Sequence, residues 1–252
     1  MSKPATVVAP RKRGVQEQAA VVAPGSSPGQ ALGSGFRGKD EIDLAAISEL
    51  EDLVAERRKA LGDGHADTLA AMLDLAELLW GEGRLARARQ LEEAVVTGRG
   101  ALYGATHPET LKALGKLAVS IGQLGDLGEA RRLQEQVVAG MRAAHGDEAR
   151  DTLRAINNLA GTILAQGDLP EARHVLEEAA GILCREFGEA DADSLAAMGN
   201  LAAVLWQIGD QGEAYELQRQ VVALRQQNHG DGDDALRAAE AVLSMMEREA
   251  EF

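Results

Sequence analysis

The chain has 252 residues, of which 45% are hydrophobic and 3% aromatic, and its net charge is −14. It is long enough to bury a large core, which must be built from aliphatic side chains rather than aromatic rings. The excess of carboxylates argues against nucleic acid as a partner, and no apolar run reaches the roughly 20 residues that a membrane span requires.

Residues 1–39 are rich in Pro, Gly, Ser and Ala, and their basic residues outnumber their single acidic residue, Glu17. A segment of this composition cannot bury enough apolar surface to fold alone, so we expect a disordered basic tail at 1–39 and a folded domain at 40–252. The sequence VVAP occurs at 7–10 and again at 21–24, which is typical of low complexity or of a docking motif. We expect a cytoplasmic protein, or an organellar one if residues 1–39 are a transit peptide.

The rest of the chain repeats at a fixed spacing, which is the mark of a stacked architecture. Residues 41–61 predict one helix, four helix pairs are expected near 66–103, 108–145, 150–187 and 192–229, and residues 233–250 predict a closing helix. Turn glycines, and alanines five positions later, recur in the same register: Gly83, Gly125, Gly167 and Gly209, with Ala88, Ala130, Ala172 and Ala214.

Each unit contains two amphipathic patterns on either side of its turn glycine. In the unit at 149–188, Leu153, Ile156 and Ile163 share one helical face, and a second pattern begins near Pro170. One pair is too small to bury its apolar residues alone, but stacked pairs bury a continuous core. The predicted fold is therefore an all-α solenoid of four antiparallel helix pairs with a capping helix at each end.

The run LRAINNLAGTILAQGDLPEAR at 153–173 resembles a tetratricopeptide repeat. The run HPETL at 107–111, together with the length of the period, is similar to the longer repeats of kinesin light chains. The resemblance covers the chain from about residue 41 onward. It implies a right-handed superhelix whose first helices line a concave groove, and a protein that binds other proteins.

Polar residues of the first helices fall into two columns when the units are aligned on their glycines. One column holds Asp74, Lys116, Asn158 and Asn200, and the other, one turn earlier, holds Ala70, Lys112, Arg154 and Ala196. This arrangement resembles the carboxylate clamp of some tetratricopeptide co-chaperones, although Lys116 replaces a usual Asn and Ala196 leaves Asn200 alone. The resemblance implies that Asn158 and Asn200 grip the backbone of an extended peptide. The predicted groove residues are Lys112, Lys116, Arg154, Asn157, Asn158 and Asn200.

Three further features bear on this groove. Lys112 and Lys116, one turn apart, should repel each other, so folding gains nothing from them and a ligand carboxylate would relieve the repulsion. Glycines inside the first helices, such as Gly115 and Gly199, suggest close approach by a ligand or by an adjoining helix. Trp80 and Trp206 occupy one column and are predicted as groove-wall contacts, with core packing as the alternative.

The sequence contains no spacing that is typical of a metal site, a phosphate-binding loop or a catalytic nucleophile, so we expect no cofactor, no metal and no enzymatic activity. We predict an adaptor that holds a peptide segment, acidic or C-terminal, in its concave groove. Two alternatives stay open: a non-catalytic regulatory subunit of an enzyme, and a structural spacer without a groove ligand.

Overall fold

The computed structural model describes residues 40–228 and 234–250, and all regular structure within these ranges is α-helical. The predicted tail at 1–39 lies outside the described residues. Four helix pairs (α2 with α3, α4 with α5, α6 with α7, α8 with α9) stand between the single helices α1 and α10, which confirms the predicted solenoid. The helices are α1 (Asp40–Leu61), α2 (Ala66–Gly81), α3 (Leu85–Tyr103), α4 (Pro108–Gln123), α5 (Leu127–His145), α6 (Arg150–Gln166), α7 (Leu169–Phe187), α8 (Ala192–Ile208), α9 (Gln211–Asn228) and α10 (Asp234–Ala250).

Glycines with positive φ end the helices from α1 to α8, both within the pairs and between them. Gly167, for example, has φ 86° and ψ 9°, and its N–H lies 2.9 Å from the carbonyl oxygen of Leu164. Glycine adopts this left-handed conformation without the steric cost that a Cβ brings, so the chain can reverse within two residues. The recurrence of this turn explains the regular register of the helices.

The first helices of the pairs lie on the inner side of the stack. Each helix packs against its neighbours in the chain, and in addition α4 packs against α6 and α6 against α8. Successive second helices of the described chain make no comparable contact. Because the inner side of a curved stack brings equivalent helices closer together, α2, α4, α6 and α8 line the concave surface.

Small side chains allow this close approach of the first helices. Ala71, Ala113, Ala155 and Ala197 occupy one column, and each is buried. Ala113 of α4 belongs to the apolar cluster of the first pair, and Ala155 of α6 belongs to that of the second pair. The core is therefore continuous from one pair to the next, as expected for a solenoid.

The last helix, α10, covers the end of this core and has a polar outer face. In α8, the side chains of Leu195, Met198, Ala202 and Leu205 are buried. The equivalent positions of α10 hold Arg237, Glu240, Ser244 and Glu247, and none of these side chains is buried. Leu236 and Met246, which face the preceding pair, remain buried. Helix α10 is therefore the cap that the sequence predicts.

In each of the first three pairs, a buried threonine at the start of the first helix forms a hydrogen bond to the turn that precedes the pair. Thr68, Thr110 and Thr152 donate hydrogen bonds of 2.7 to 2.8 Å to the carbonyl oxygens of Gly62, Gly104 and Gly146. These carbonyls stand at helix ends, where no backbone N–H of the helix can reach them. Sequence analysis did not single out this column, although a Thr or Ser recurs there at 68, 110, 152 and 194.

We expect Thr152→Val to lower the free energy of unfolding by about 1 kcal/mol, because the isosteric side chain removes the hydrogen bond that the buried Thr152 hydroxyl donates to the Gly146 carbonyl. Urea denaturation followed by circular dichroism measures the change. Thr97→Val is the matched control, since the Thr97 hydroxyl bonds the Glu93 carbonyl within an exposed helix surface. Equal effects of the two substitutions would show that burial of the hydroxyl does not matter.

Candidate functional site: the concave surface

The three predicted groove cations are exposed, and each contacts a carboxylate on a neighbouring first helix. The Lys112 Nζ lies 3.0 Å from Asp151 Oδ2, and the Lys116 Nζ lies 2.8 Å from Glu77 Oε2. Arg154 donates from Nε to Asp193 Oδ1 at 2.7 Å. Because the partner residues lie 39 positions away in the chain, these ion pairs bridge α2 to α4, α4 to α6 and α6 to α8 in turn.

Lys112 and Lys116 therefore have ion-pair partners within the fold, which the sequence analysis did not identify. A second acid, Glu109, also lies 3.5 Å from Lys112, and these acids raise the pKa of the Lys112 ammonium above its ordinary value, chiefly through its hydrogen bond to Asp151. Carboxylates that are distant in the sequence offset the mutual repulsion of the cations. As exposed pairs, each contributes about 0–1 kcal/mol to stability.

The amide side chains form a second layer of contacts on α6 and α8. The Asn200 Nδ2 donates to Asn157 Oδ1 at 2.9 Å, and Asn157 is buried whereas Asn200 is half-buried. Asn158, also half-buried, has no side-chain hydrogen bond to any residue of 40–228 or 234–250. The structure thus brings Asn157 and Asn200 together and leaves the amide of Asn158 available.

Two glycines of the first helices, Gly115 and Gly199, have enough space around them for a larger side chain. A Cβ added at Gly115 would meet only Val137 Cγ1 at 3.9 Å, and one added at Gly199 only Gln218 Oε1 at 4.0 Å. By contrast, a Cβ at Gly140 would lie 2.5 Å from Leu111 Cδ1, so the buried Leu111 side chain would have to shift to admit it. An adjoining helix therefore does not explain Gly115 and Gly199, each of which costs about 1 kcal/mol relative to alanine inside a helix.

The two tryptophans lie at opposite ends of the stack and contact apolar clusters. Trp80 packs, partly buried, on the core of the first pair. Trp206 packs on the cluster that includes Ala214 and Met246, and its Nε1 donates to Glu249 Oε2 at 3.0 Å. Both rings are therefore partly buried against the core, and their role as groove walls stays a prediction.

Two histidines have a structural role at the starts of first helices. His65 and His107 precede α2 and α4, and the Nδ1 of each accepts a hydrogen bond of 3.2 Å from the backbone N–H two residues later. Within the described ranges, no group of three His, Cys, Asp or Glu side chains has a geometry that could hold a metal ion. No described helix is long and apolar enough to cross a membrane.

One buried carboxyl went unnoticed in the sequence. Glu92 of α3 is only 5% exposed, and its Oε2 has no hydrogen-bond partner among the described residues, nor does the nearby Ser120 Oγ of α4. Burial raises the pKa of Glu92, and the Ser120 hydroxyl, which is close to the carboxyl but poorly aligned for a hydrogen bond, and the Lys116 charge oppose this shift only in part. The equivalent positions two pairs later are Leu176 and Val204, which pack together in an apolar cluster. The sequence signal for this buried carboxyl is that the polar residues Glu92 and Ser120 stand at positions that are apolar two pairs later.

Comparisons with known protein families identify the repeats. One tetratricopeptide repeat family matches residues 109–185 and again 151–227, and a second tetratricopeptide repeat family matches residues 68–109. The matches together run from residue 68 to residue 227, over the four helix pairs. No curated protein sequence matches the chain significantly.

Solved structures with the same architecture include a kinesin-light-chain-related protein of Podosopora anserina with nearly identical TPR-like repeats. That crystal structure has 28% sequence identity and a TM-score of 0.60, covering 77% of this chain and 92% of that one. A point variant of it has 29% identity and a TM-score of 0.62, covering 74% and 88%. BtubC (BKLC) from P. vanneervenii shares the fold at 19% identity, with a TM-score of 0.61 over 82% of this chain and 89% of that chain. The chain is therefore a member of the tetratricopeptide repeat proteins, with repeats of the kinesin-light-chain type, and its architecture is that of a protein-interaction scaffold.

Proposed function

We propose that the protein is a non-catalytic adaptor that binds an extended, acidic or C-terminal peptide segment along its concave surface. The observation that carries this proposal is the alignment of exposed or half-buried polar side chains on α4, α6 and α8. Lys116, Asn158 and Asn200 follow one another along the stack at equivalent positions. An extended chain lying across the first helices would meet charged and amide side chains in succession.

The open space beside Gly115 and Gly199 supports the same proposal. Glycine inside a helix lowers stability, and neither position has a neighbour that excludes a methyl group. A ligand backbone that approaches α4 and α8 closely would account for both residues. The equivalent position of α6 is the buried Asn157, and the amide of its neighbour Asn158 can both donate to and accept from a peptide group.

We expect Lys116→Ala combined with Arg154→Ala to abolish binding of acidic peptides while leaving the helical content unchanged. The variant loses two exposed ion pairs, so its free energy of unfolding should fall by no more than about 2 kcal/mol. Binding by the wild type should weaken as salt rises, because charges are screened beyond roughly 8 Å at physiological ionic strength. A peptide library screened on both proteins, followed by titration of the hits, measures these effects.

Arg132→Ala combined with Arg219→Ala is the matched control. Both arginines lie on second helices and are exposed, and among the described residues each pairs with an acid three residues away on the same helix. This variant removes the same charge but should bind the hits as well as the wild type does. Hits that bind both variants equally would place the partner outside the groove, and the absence of any saturable peptide would favour a structural spacer.

A further inference from the structure

Helix α1 has one face that no other helix of the described chain covers. In the next pair, Ala88 and Val95 of α3 face their own first helix, α2, and both side chains are fully buried in the cluster that they share with it. The equivalent residues of α1, Ala46 and Leu53, are only half-buried. Helix α1 therefore stands as the second helix of a pair whose first helix is absent from the described chain.

Acidic residues take the place of apolar ones on this face. Glu49, Asp52 and Glu56 recur at three- and four-residue spacing, so they lie on one side of α1, and all three are exposed. None of them pairs with a cation of the described chain, and Arg57 and Arg58 contact the turn and the start of α2 instead. The positions of Glu49 and Glu56 are apolar or glycine in the other second helices: Leu91, Leu133, Val175 and Leu217 for the first, and Gly98, Gly140, Ile182 and Leu224 for the second.

We propose that residues 7–13 of this chain, with the sequence VVAPRKR, bind the open face of α1, which consists of the three acids and the half-buried Ala46 and Leu53. The three consecutive cations at 11–13 oppose the three acids, and the two valines supply apolar surface for Leu53. Opposite charges on two surfaces attract them and fix their register. The open face lies at the N-terminal end of the stack, so the inference is independent of peptide binding in the groove.

The connection between this segment and α1 has a suitable length. Residues 14–39 join the two and are rich in Gly, Ala and Ser. A flexible chain of about 26 residues has a root-mean-square end-to-end distance of roughly 28 Å. The three acids lie about 14–24 Å along the helix axis from Asp40, at about 1.5 Å per residue. Because the two lengths are similar, the effective concentration of the segment at the open face is close to its maximum.

The sequence does not favour a first helix in front of α1. In the register of the repeat, residues 24–39 correspond to α2, the first helix of the next pair. They contain five glycines and two prolines, Pro24 and Pro28, which disfavour a helix. A short extended segment with apolar and basic residues is the better occupant of the open face.

The second VVAP sequence provides an internal comparison. It occurs at 21–24 and is followed by GSS, whereas the copy at 7–10 is followed by RKR. Both copies offer the same apolar residues, but only the first adds cations, so only the first should bind the acids. Residue 25 is nearer to α1 in the chain than residue 14 is, and a chain without docking would therefore bring residue 25 to α1 more often.

The test attaches a nitroxide to Gly14→Cys or to Gly25→Cys in the full chain, with Cys184→Ser to remove the native thiol. The paramagnetic loss of amide NMR signal is then measured for residues 46–56. Docking of 7–13 predicts a loss at least about twofold greater from the label at 14 than from the label at 25, the reverse of the order for an undocked chain. The difference should vanish at 1 M salt, where charges are screened beyond roughly 3 Å.

Charge reversal tests the contact itself. Glu49→Lys combined with Glu56→Lys should abolish the signal loss caused by the label at residue 14. Adding Arg11→Glu and Arg13→Glu to that protein should restore the loss, because the charges are again opposite. This recovery would also show that the reversed open face is still folded.

Glu213→Lys combined with Glu216→Lys is the matched control, because both acids are exposed on the second helix α9 and the change of charge is the same. It should leave the signal loss unchanged. Equal losses from the two labels, or a loss that survives reversal of Glu49 and Glu56, would overturn the proposal. Signal loss on an isotope-labelled chain mixed with a separate spin-labelled chain would assign the segment to a second copy of the protein, and binding within one chain would then be wrong.

Discussion

Glu92→Leu combined with Ser120→Val should raise the free energy of unfolding at neutral pH by about 1–3 kcal/mol. The wild type buries the Glu92 Oε2 and the Ser120 Oγ, which form no well-aligned hydrogen bond among the described residues. Their mutual interaction is too weak to offset the burial of the carboxylate, so the pair retains much of the cost of its lost hydration. The variant copies Leu176 and Val204, which fill the equivalent contact between α7 and α8 and are fully buried. The substitution therefore replaces an unsatisfied polar pair with one that this fold already accommodates.

The gain in stability should depend on pH in a defined direction. Burial raises the pKa of Glu92 above its ordinary value of 4.5, so the folded protein holds this proton more tightly than the unfolded chain does. The stability associated with the protonated carboxyl is fully present below the pKa of the unfolded chain, and it is lost as pH rises through the folded pKa. The difference in unfolding free energy between variant and wild type should consequently be small near pH 4 and grow toward pH 7.

Urea denaturation at a series of pH values measures both effects, and the difference between the two proteins cancels the titration of all other groups. The reciprocal variant, Leu176→Glu with Val204→Ser, transfers the polar pair to the junction of α7 and α8. It should unfold more easily at neutral pH and acquire the pH dependence that the first variant loses. An unchanged pH slope in both variants would mean that Glu92 has solvent access that its 5% exposure does not suggest.

Gly167→Val should destabilise the protein by about 1–3 kcal/mol or more. Gly167 ends α6 with φ 86°, where a side chain with a branched Cβ is strongly disfavoured. No atom lies within 4 Å of the place that a Cβ would occupy, so the loss arises from backbone strain rather than from a clash. Since each pair is stabilised by its neighbours, loosening the turn between α6 and α7 should weaken the whole stack.

The control for this prediction is Gly181→Val, because Gly181 lies inside α7 and also has no atom within 4 Å of its added Cβ. Valine is the better helix former of the two residues, so this variant should be as stable as the wild type or slightly more stable. Thermal and urea unfolding of both proteins compare them directly. A Gly167→Val protein that unfolds like Gly181→Val would refute the role of the turn conformation.

Most of the architecture could be predicted from the sequence because its causes are local. The turn at Gly167 depends on the φ angle of a single residue, and the helix between 150 and 166 depends on apolar residues that recur at three- and four-residue spacing. The fixed period then implies stacking, since one pair cannot bury its apolar face alone. The polar face of α10 can also be read from Arg237 and Glu247, which stand where α8 has leucines.

The partners of the charged groove residues were decided by tertiary structure alone. Lys116 and Arg154 contact Glu77 and Asp193, which lie 39 residues away in opposite directions along the chain. Sequence columns place side chains on a shared face, but they do not say which acid of the adjacent helix reaches a given cation. The mutual repulsion inferred for the lysines was therefore only part of the electrostatics of the groove.

The sequence by itself thus determined the fold, the register of the pairs and the candidate residues of the concave surface, because backbone conformation and periodicity are properties of short segments. Only the tertiary structure decided which of those residues already have an ion-pair or hydrogen-bond partner within the described fold. It also buried Glu92, whose neighbour Glu93 is an exposed surface residue of the same helix. Two adjacent glutamates have the same local chemistry, and they differ because α4 packs over one of them and leaves the other in water.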